Sequence, residues 1–103
     1  MKPTDIAAWR RRLDRLDRRL VRMLNQRARA AQQIGRLKAR TAMPIYEPRR
    51  ERAVIENVLD ANRGPFPDHE LKRVFEEIMA VMRRLQRTEI LERRKPRRRR
   101  RGK

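Results

Sequence analysis

Two basic residues interrupt an apolar stripe near the beginning of the chain. Apolar residues recur there at alternating spacings of three and four, the period of one helix face: Ile6, Trp9, Leu13, Leu16, Leu20, Met23, Ala30, Ile34 and Leu37. Arg27 stands where this pattern predicts Leu, and Lys38 lies about 20° from the same line. Because an unpartnered buried charge is costly, two cations on the packed side favour a site for an anionic ligand. Structural salt bridges, or side chains that reach out to solvent, are the alternative.

The other polar candidates also lie beside apolar stripes or near a helix start. They are Arg10, Glu47, Arg50, Glu51 and Gln86. Glu47, Arg50 and Glu51 can share the N-terminal side of one helix, whereas Gln86 follows Met82 by one helical turn. An ordinary surface ion-pair cluster would explain the three charged residues equally well. The sequence contains no Gly-rich phosphate loop and no nucleophile elbow, so any chemistry must use charge and hydrogen bonds alone.

The composition argues against a metal or a redox centre. The chain has no cysteine and a single histidine, His69, which the sequence places in the solvated first turn of a helix. We therefore expect no metal. No apolar run approaches the length of a membrane span, and the N-terminus lacks the apolar core of a signal peptide. A cytoplasmic protein without a membrane partner is the expectation.

The net charge of +18 is divided between a helical region and a tail. Residues 93–103 carry nine positive charges and no acid, so residues 1–92 carry the remaining +9. Such a run repels itself, and we expect residues 93–103 to be a disordered Arg-rich tail beside one domain, residues 1–92. The tail is expected to bind nucleic acid nonspecifically and in a salt-dependent manner.

Three helices must position the candidate residues. The periodicity predicts the first over about Asp5–Arg40, the second over about Pro48–Asn62, and a third that Asp68 caps. At 1.5 Å per residue the first helix would be roughly 50 Å long. A compact monomer of 103 residues has a radius of gyration of only about 13 Å. We therefore expect the first helix to pack against another chain.

Five segments resemble the all-helical class of chorismate mutase, in order and without large gaps. The segments are Trp9–Asp17, Leu24–Ala28, Ile34–Lys38, Pro44–Glu51 and Phe75–Gln86. Each motif is weak by itself, whereas five in register over about residues 5–88 are specific. The resemblance implies an all-α fold, a three-helix protomer with a very long first helix, an intertwined homodimer and no cofactor.

The resemblance also implies a reaction that needs no nucleophile. Members of the family rearrange chorismate, a dicarboxylate with a hydroxyl group, to prephenate by an intramolecular Claisen reaction in the biosynthesis of Phe and Tyr. The breaking ether oxygen gains negative charge, so catalysis consists of holding the reactive conformer and stabilising that oxygen. By similarity, Lys38 and Gln86 donate to the ether oxygen, and Arg27 with the partner's Arg10 binds the carboxylates.

The remaining site residues follow from the same resemblance. Glu51, with the backbone around Glu47, would receive the substrate hydroxyl, and Arg50 would brace that wall. Position 47 is more often Asp in the family. Ser is usual four residues before the Gln, where this chain has Met82, so one carboxylate hydrogen bond is expected to be missing and substrate affinity to fall.

Two other functions fit parts of the pattern. Isochorismate pyruvate lyase uses a similar scaffold and also needs a Lys on the first helix and a Gln on the third. A basic helical protein that binds nucleic acid without catalysis would explain the net charge, although no aromatic stacking platform accompanies the cations. Turnover of chorismate, turnover of isochorismate and binding of duplex DNA distinguish the three.

Overall fold

The chain folds into three α-helices. The structure is a computed structural model that describes residues 5–94, with side chains through Glu92. Helix α1 is Ile6–Thr41, α2 is Pro48–Ala61 and α3 is Asp68–Arg94, and no strand occurs within residues 5–94. The all-α class and the order of the helices are confirmed. The first two residues of the predicted disordered tail, Arg93 and Arg94, belong to α3, and residues 95–103 lie outside the described residues.

Local features of the chain explain where α1 begins and ends and where α2 begins. Asp5 caps α1, since its Oδ1 accepts a hydrogen bond of 3.0 Å from the backbone N–H of Ala8. At the other end, Ala42 adopts a positive φ of 59°, which takes the backbone out of the helix. Pro48 is the first residue of α2, where its missing N–H costs no helical hydrogen bond.

The start of α3 differs from the prediction. Asp68 lies inside the helix, and the carbonyl of Pro67 accepts the first hydrogen bonds, from Glu70 N–H at 3.1 Å and Leu71 N–H at 2.9 Å. The Asp68 carboxylate instead accepts a bond of 2.7 Å from Asn62 Nδ2. Asp68 therefore connects the start of α3 to the end of α2, and its negative charge still favours the first turn of α3.

The chain divides into two compact units after Ala30. In the described part of the first unit, residues 5–30, the backbone is the N-terminal part of α1 and no residue is fully buried. The large apolar side chains of its stripe are exposed, from 46% for Trp9 and Leu16 to 63% for Ile6. The predicted amphipathic helix is present, and within this unit its apolar face is open to solvent.

The second unit contains the packed core. Helix α2 packs against α3, and the buried apolar residues are Ala31, Val54, Met79 and Met82. Lys38 and Gln86 are buried beside them. The last turns of α1, the connector of residues 42–47, α2 and α3 together position these two polar residues. Over the described residues, none of the helices has the apolar length that a bilayer crossing requires.

Candidate active site

The side chain of Lys38 is buried, with 5% of the residue exposed, and three acceptors surround its ammonium group. The Nζ atom donates to the carbonyl of Ile45 at 2.8 Å and to Oε1 of Gln86 at 3.3 Å. Its third contact is an ion pair with Oε2 of Glu47 at 3.0 Å. Two of the three contacts are hydrogen bonds, and the third balances the positive charge of the ammonium with a carboxylate. Lys38 is therefore a fixed cation inside the second unit.

The connector between α1 and α2 supplies two of these acceptors. The positive φ of Ala42 turns the chain at the end of α1, and Pro44 excludes a continued helix. The following extended residues bring the Ile45 carbonyl and the Glu47 carboxylate back to Lys38, which is only seven and nine residues earlier. The sequence motif around Pro44 thus has a direct structural role, since it places acceptors over the lysine.

Gln86 reaches Lys38 because α1 and α3 approach closely at Gly35. A Cβ atom added at Gly35 would lie 3.2 Å from the Gln86 Cα and 3.3 Å from its Cβ, which is tighter than ordinary packing. One residue further along α1, Arg36 Nε donates to Glu89 Oε2 at 2.8 Å. The absence of a side chain at position 35 allows the two helices to approach closely beside Gln86, and the ion pair between Arg36 and Glu89 stabilises this approach.

The structure corrects one premise drawn from the sequence. We inferred a ligand for Lys38 from the cost of an unpartnered buried charge, yet the chain itself provides partners in Glu47, Ile45 and Gln86. Backbone carbonyls are invisible in a side-chain pattern, which is why the sequence did not reveal the Ile45 contact. The burial of Lys38 therefore indicates an ordered cation and does not by itself require an anionic ligand.

A second ionic group lies between the start of α2 and α3. Arg83 donates through one terminal guanidinium nitrogen to both carboxylate oxygens of Glu51, at 2.5 Å for Oε1. The same guanidinium lies over the ring of Tyr46, with 5.0 Å from its central carbon to the ring centroid. Sequence reasoning placed Glu51 in the site and missed Arg83. The signal available was position 83 itself, three residues before Gln86 and hence on the same side of α3.

The other predicted site residues differ in their burial. Arg50 is exposed on α2, and the guanidinium that contacts Glu51 belongs to Arg83. Met82 is buried, with 6% exposed, so the position at which the family resemblance predicts Ser belongs to the core here. Arg10 is exposed and Arg27 is partly buried, both in the first unit.

The group around Lys38 can stabilise developing negative charge. The buried ammonium is a fixed positive charge and the amide is a fixed dipole, and neither needs much reorganisation when a nearby oxygen gains negative charge. Within the described residues, no group of three or more carboxylate or histidine side chains could hold a metal ion. A cavity of about 350 Å³ beside Tyr46, Glu51 and Met79 does not include Lys38 among its lining residues.

The fold and this group define a class of small all-helical domain that places a cation and an amide on facing helices. The sequence matches the family described as chorismate mutase type II over residues 9–87. This match covers most of the chain, and the chain belongs to that family. The resemblance seen in the five sequence segments is confirmed.

Relatives with sequence and structural similarity agree with this assignment. The chain is 42% identical over 71 residues to a bifunctional chorismate mutase/prephenate dehydratase of Neisseria gonorrhoeae, covering 69% of this chain and 19% of that protein. It is 35% identical over 81 residues to a protein of the same name from Aquifex aeolicus, covering 75% and 22%. The chain thus spans about a fifth of the length of these curated relatives.

A solved structure matches over a larger share of its own length. Form II of the chorismate mutase of Thermus thermophilus aligns with a TM-score of 0.78 and 36% identity, covering 80% of this chain and 93% of that one. Form I of the same enzyme gives a TM-score of 0.72 and 38% identity, covering 75% and 96%. The three-helix architecture is therefore that of this family.

Proposed function

We propose that the chain catalyses the rearrangement of chorismate to prephenate, an isomerase step in the biosynthesis of Phe and Tyr. The observation that carries the proposal is the burial of Lys38 and Gln86 on facing helices, with 3.3 Å between the ammonium nitrogen and the amide oxygen. Family membership supports the same reaction. The proposal includes the cytoplasmic location expected from the sequence.

Lys38 and Gln86 are proposed to stabilise the ether oxygen as its bond to carbon breaks. The Gln86 contact at 3.3 Å is the longest of the three that Lys38 makes, so it is the one that a substrate oxygen most readily replaces. Ile45 and Glu47 would then keep the ammonium in place. Released from Lys38, the Gln86 amide can present an N–H donor to the same ether oxygen, which completes a pair of donors.

The carboxylates of the substrate need further cations. We assign them, from the family resemblance, to Arg27 and to the partner's Arg10, because a guanidinium binds a carboxylate through two hydrogen bonds. Arg10 and Arg27 are seventeen residues apart on one helix, a rise of about 25 Å, so one chain could scarcely bring both to one small substrate. The exposed apolar stripe of α1 supports a homodimer, since apolar patches of this kind are usually covered by a partner.

Glu51 is proposed to accept the substrate hydroxyl, together with the backbone around Glu47. Glu51 is only partly exposed, and Arg83 holds its carboxylate. Arg50 and Met82 complete the proposed binding residues, with Arg50 at the exposed edge of α2 and Met82 in the buried core. The ion pair with Glu51 is made by Arg83 and not by Arg50.

The test of the function is direct. Purified protein is incubated with chorismate and the loss of its absorbance is followed, with isochorismate and duplex DNA as parallel samples. We expect turnover of chorismate to prephenate. Preferential consumption of isochorismate would assign the lyase reaction instead, and DNA binding without turnover of either compound would overturn the proposed enzyme.

The shared site is tested by mixing two inactive variants. Arg10→Ala and Lys38→Ala chains are refolded together, so that in a mixed dimer one site receives both lesions and the other receives none. With random pairing we expect about a quarter of wild-type activity, because half of the dimers have one intact site of two. Activity at the level of the parent variants, with mixed dimers demonstrated by mass spectrometry, would show that Arg10 does not act across the dimer.

A further inference from the structure

One guanidinium connects three parts of the second unit. Arg83 on α3 contacts Glu51 in the first turn of α2 and lies over the ring of Tyr46 in the connector. The side chains of Arg83 and Glu51 are 26% and 22% exposed, so water screens this pair less than a surface ion pair. A planar guanidinium suits both contacts, since it can donate in its plane and stack on an aromatic ring through its face.

Arg83 is also close in sequence and space to the Lys38 group. Tyr46 stands between Ile45 and Glu47, whose oxygen atoms hold the Lys38 ammonium. Gln86 follows Arg83 by three residues and lies on the same side of α3. The arginine therefore contacts Tyr46, which lies between two of these acceptors in the sequence, and Glu51, four residues after the second.

The adjacent residue shows that such contacts are not general on α3. Arg84 is 61% exposed in its side chain, and the acid it pairs with, Glu77, is 3.6 Å away and 72% exposed. The two arginines are consecutive, carry the same charge and differ in surroundings. Arg84 is thus a matched control for Arg83.

Arg83 offsets the negative charge of Glu51. A dianionic substrate would be repelled by an uncompensated carboxylate at the wall that receives its hydroxyl. We propose that Arg83 is a positioning residue, which fixes the Glu51 carboxylate toward the substrate hydroxyl and offsets its charge. This inference rests on the proposed mutase function and extends it to a residue outside the predicted site.

The test is a set of variants measured for kcat and KM with chorismate. Arg83→Met should raise KM about tenfold, the effect of one lost charged hydrogen bond, and change kcat less than about threefold, because the contact with the hydroxyl exists in ground and transition states alike. Arg83→Lys keeps the charge but loses the planar group, and should give a KM between those of wild type and Arg83→Met. Arg84→Met should leave both constants unchanged.

A double variant separates positioning from general stability. If Arg83 acts through Glu51, then Arg83→Met added to Glu51→Gln should raise KM no further than about twofold over the larger single effect. Thermal midpoints of all variants show whether a fold defect follows the change in KM. Should Arg83→Met not fold, Arg83→Lys in the two backgrounds gives the same comparison.

Three outcomes would overturn the inference. An unchanged KM in Arg83→Met, with a raised KM in Glu51→Gln, would remove the role of Arg83 and leave the proposed function intact. Fully additive effects in the double variant would show that Arg83 does not act through Glu51. A wild-type protein without chorismate turnover would remove the proposed function itself, and the inference with it.

Discussion

The two units of the chain use apolar and polar residues in opposite ways. Residues 5–30 bury no residue completely and expose most of their large apolar side chains, whereas residues 31–94 bury a lysine and a glutamine among small and flexible apolar side chains. The first unit has apolar surface without a core, and the second has a core organised around a charge. The proposed donors of the reaction thus lie in the self-supporting unit, while the proposed carboxylate-binding arginines lie in the unit that has no core of its own.

This difference suggests a division of labour. The contacts that fix Lys38 and Gln86 in the structure lie within the second unit. The stripe of the first unit is exposed, and its burial in the proposed dimer would be stabilising, since full burial of a Leu or Ile side chain contributes about 1.5–3 kcal/mol. Variants of the two units should therefore fail in different ways.

The largest effect is expected at the charged core. Lys38→Ala and Gln86→Ala should each lower kcat by about 10²-fold or more while the dimer stays folded, the loss typical of one fixed donor to a developing oxyanion. Steady-state kinetics and circular dichroism measure the two properties, with Lys72→Ala, an exposed lysine of α3, as the matched control. Nearly full kcat in either variant would show that its assigned role is wrong.

The next effect tests the exposed stripe. Leu13→Glu combined with Leu20→Glu should lower specific activity about tenfold or more at low protein concentration, because charges are costly to bury at an interface. Sedimentation should show monomers, and activity should recover partly as the concentration rises. Arg18→Glu, at an exposed position outside the stripe, is the control. An unchanged dimer would mean that the stripe is not the interface.

A smaller effect is expected where α1 approaches α3. Gly35→Ala should lower kcat about tenfold, because the new Cβ would move Gln86 by a few tenths of an ångström and catalysis is sensitive to such misplacement. Gly64→Ala is the control, since no atom lies within 4 Å of its added Cβ and its φ of +71° makes the cost one of backbone strain. That variant should lose stability and keep its kcat. Equal kcat values in the two variants would contradict the role of Gly35.

Met82→Ser should change affinity only by a few-fold. If the hydroxyl adds the substrate hydrogen bond that the family resemblance implies, KM should fall while kcat changes little. Because Met82 is 6% exposed and belongs to the core, the thermal midpoint should fall as well. Met82→Ala provides the matched loss of packing without the hydroxyl. If Met82→Ser and Met82→Ala had the same KM, the missing hydrogen bond would not explain substrate affinity.

The smallest kinetic effect is expected at the C-terminus. Ending the chain after Glu92 removes nine positive charges and should leave kcat and KM unaltered. Binding to duplex DNA at low salt should be abolished, because nonspecific binding depends on the number of phosphates that cations neutralise. A large loss of kcat would instead place part of the tail in the catalytic unit.

Much of this organisation could be predicted from the sequence. The three helices followed from apolar periodicity and from Pro48, and the placement of Lys38 and Gln86 beside apolar stripes correctly indicated burial. The contact of Lys38 with the Ile45 carbonyl could not be predicted, because it depends on how the connector turns. The contact of Arg83 with Glu51 could not be predicted either, because the sequence does not show which of two consecutive arginines faces α2. The prediction that Asp68 caps α3 was wrong, because its carboxylate accepts a hydrogen bond from the Asn62 side chain instead. The roles of all the predicted site residues, and the dimer, stay predictions.

The three contacts of Lys38 have a consequence for the energetics of turnover. A solvent-exposed ammonium must shed its hydration shell each time a substrate oxygen arrives. In this chain protein oxygens already stand in for that shell, so the dehydration takes place once, during folding, and is not repeated in every catalytic cycle. In the proposed reaction, exchanging the Gln86 oxygen for a substrate oxygen would replace one hydrogen bond by a similar one, and the free energy of binding could then go into selecting the reactive conformer.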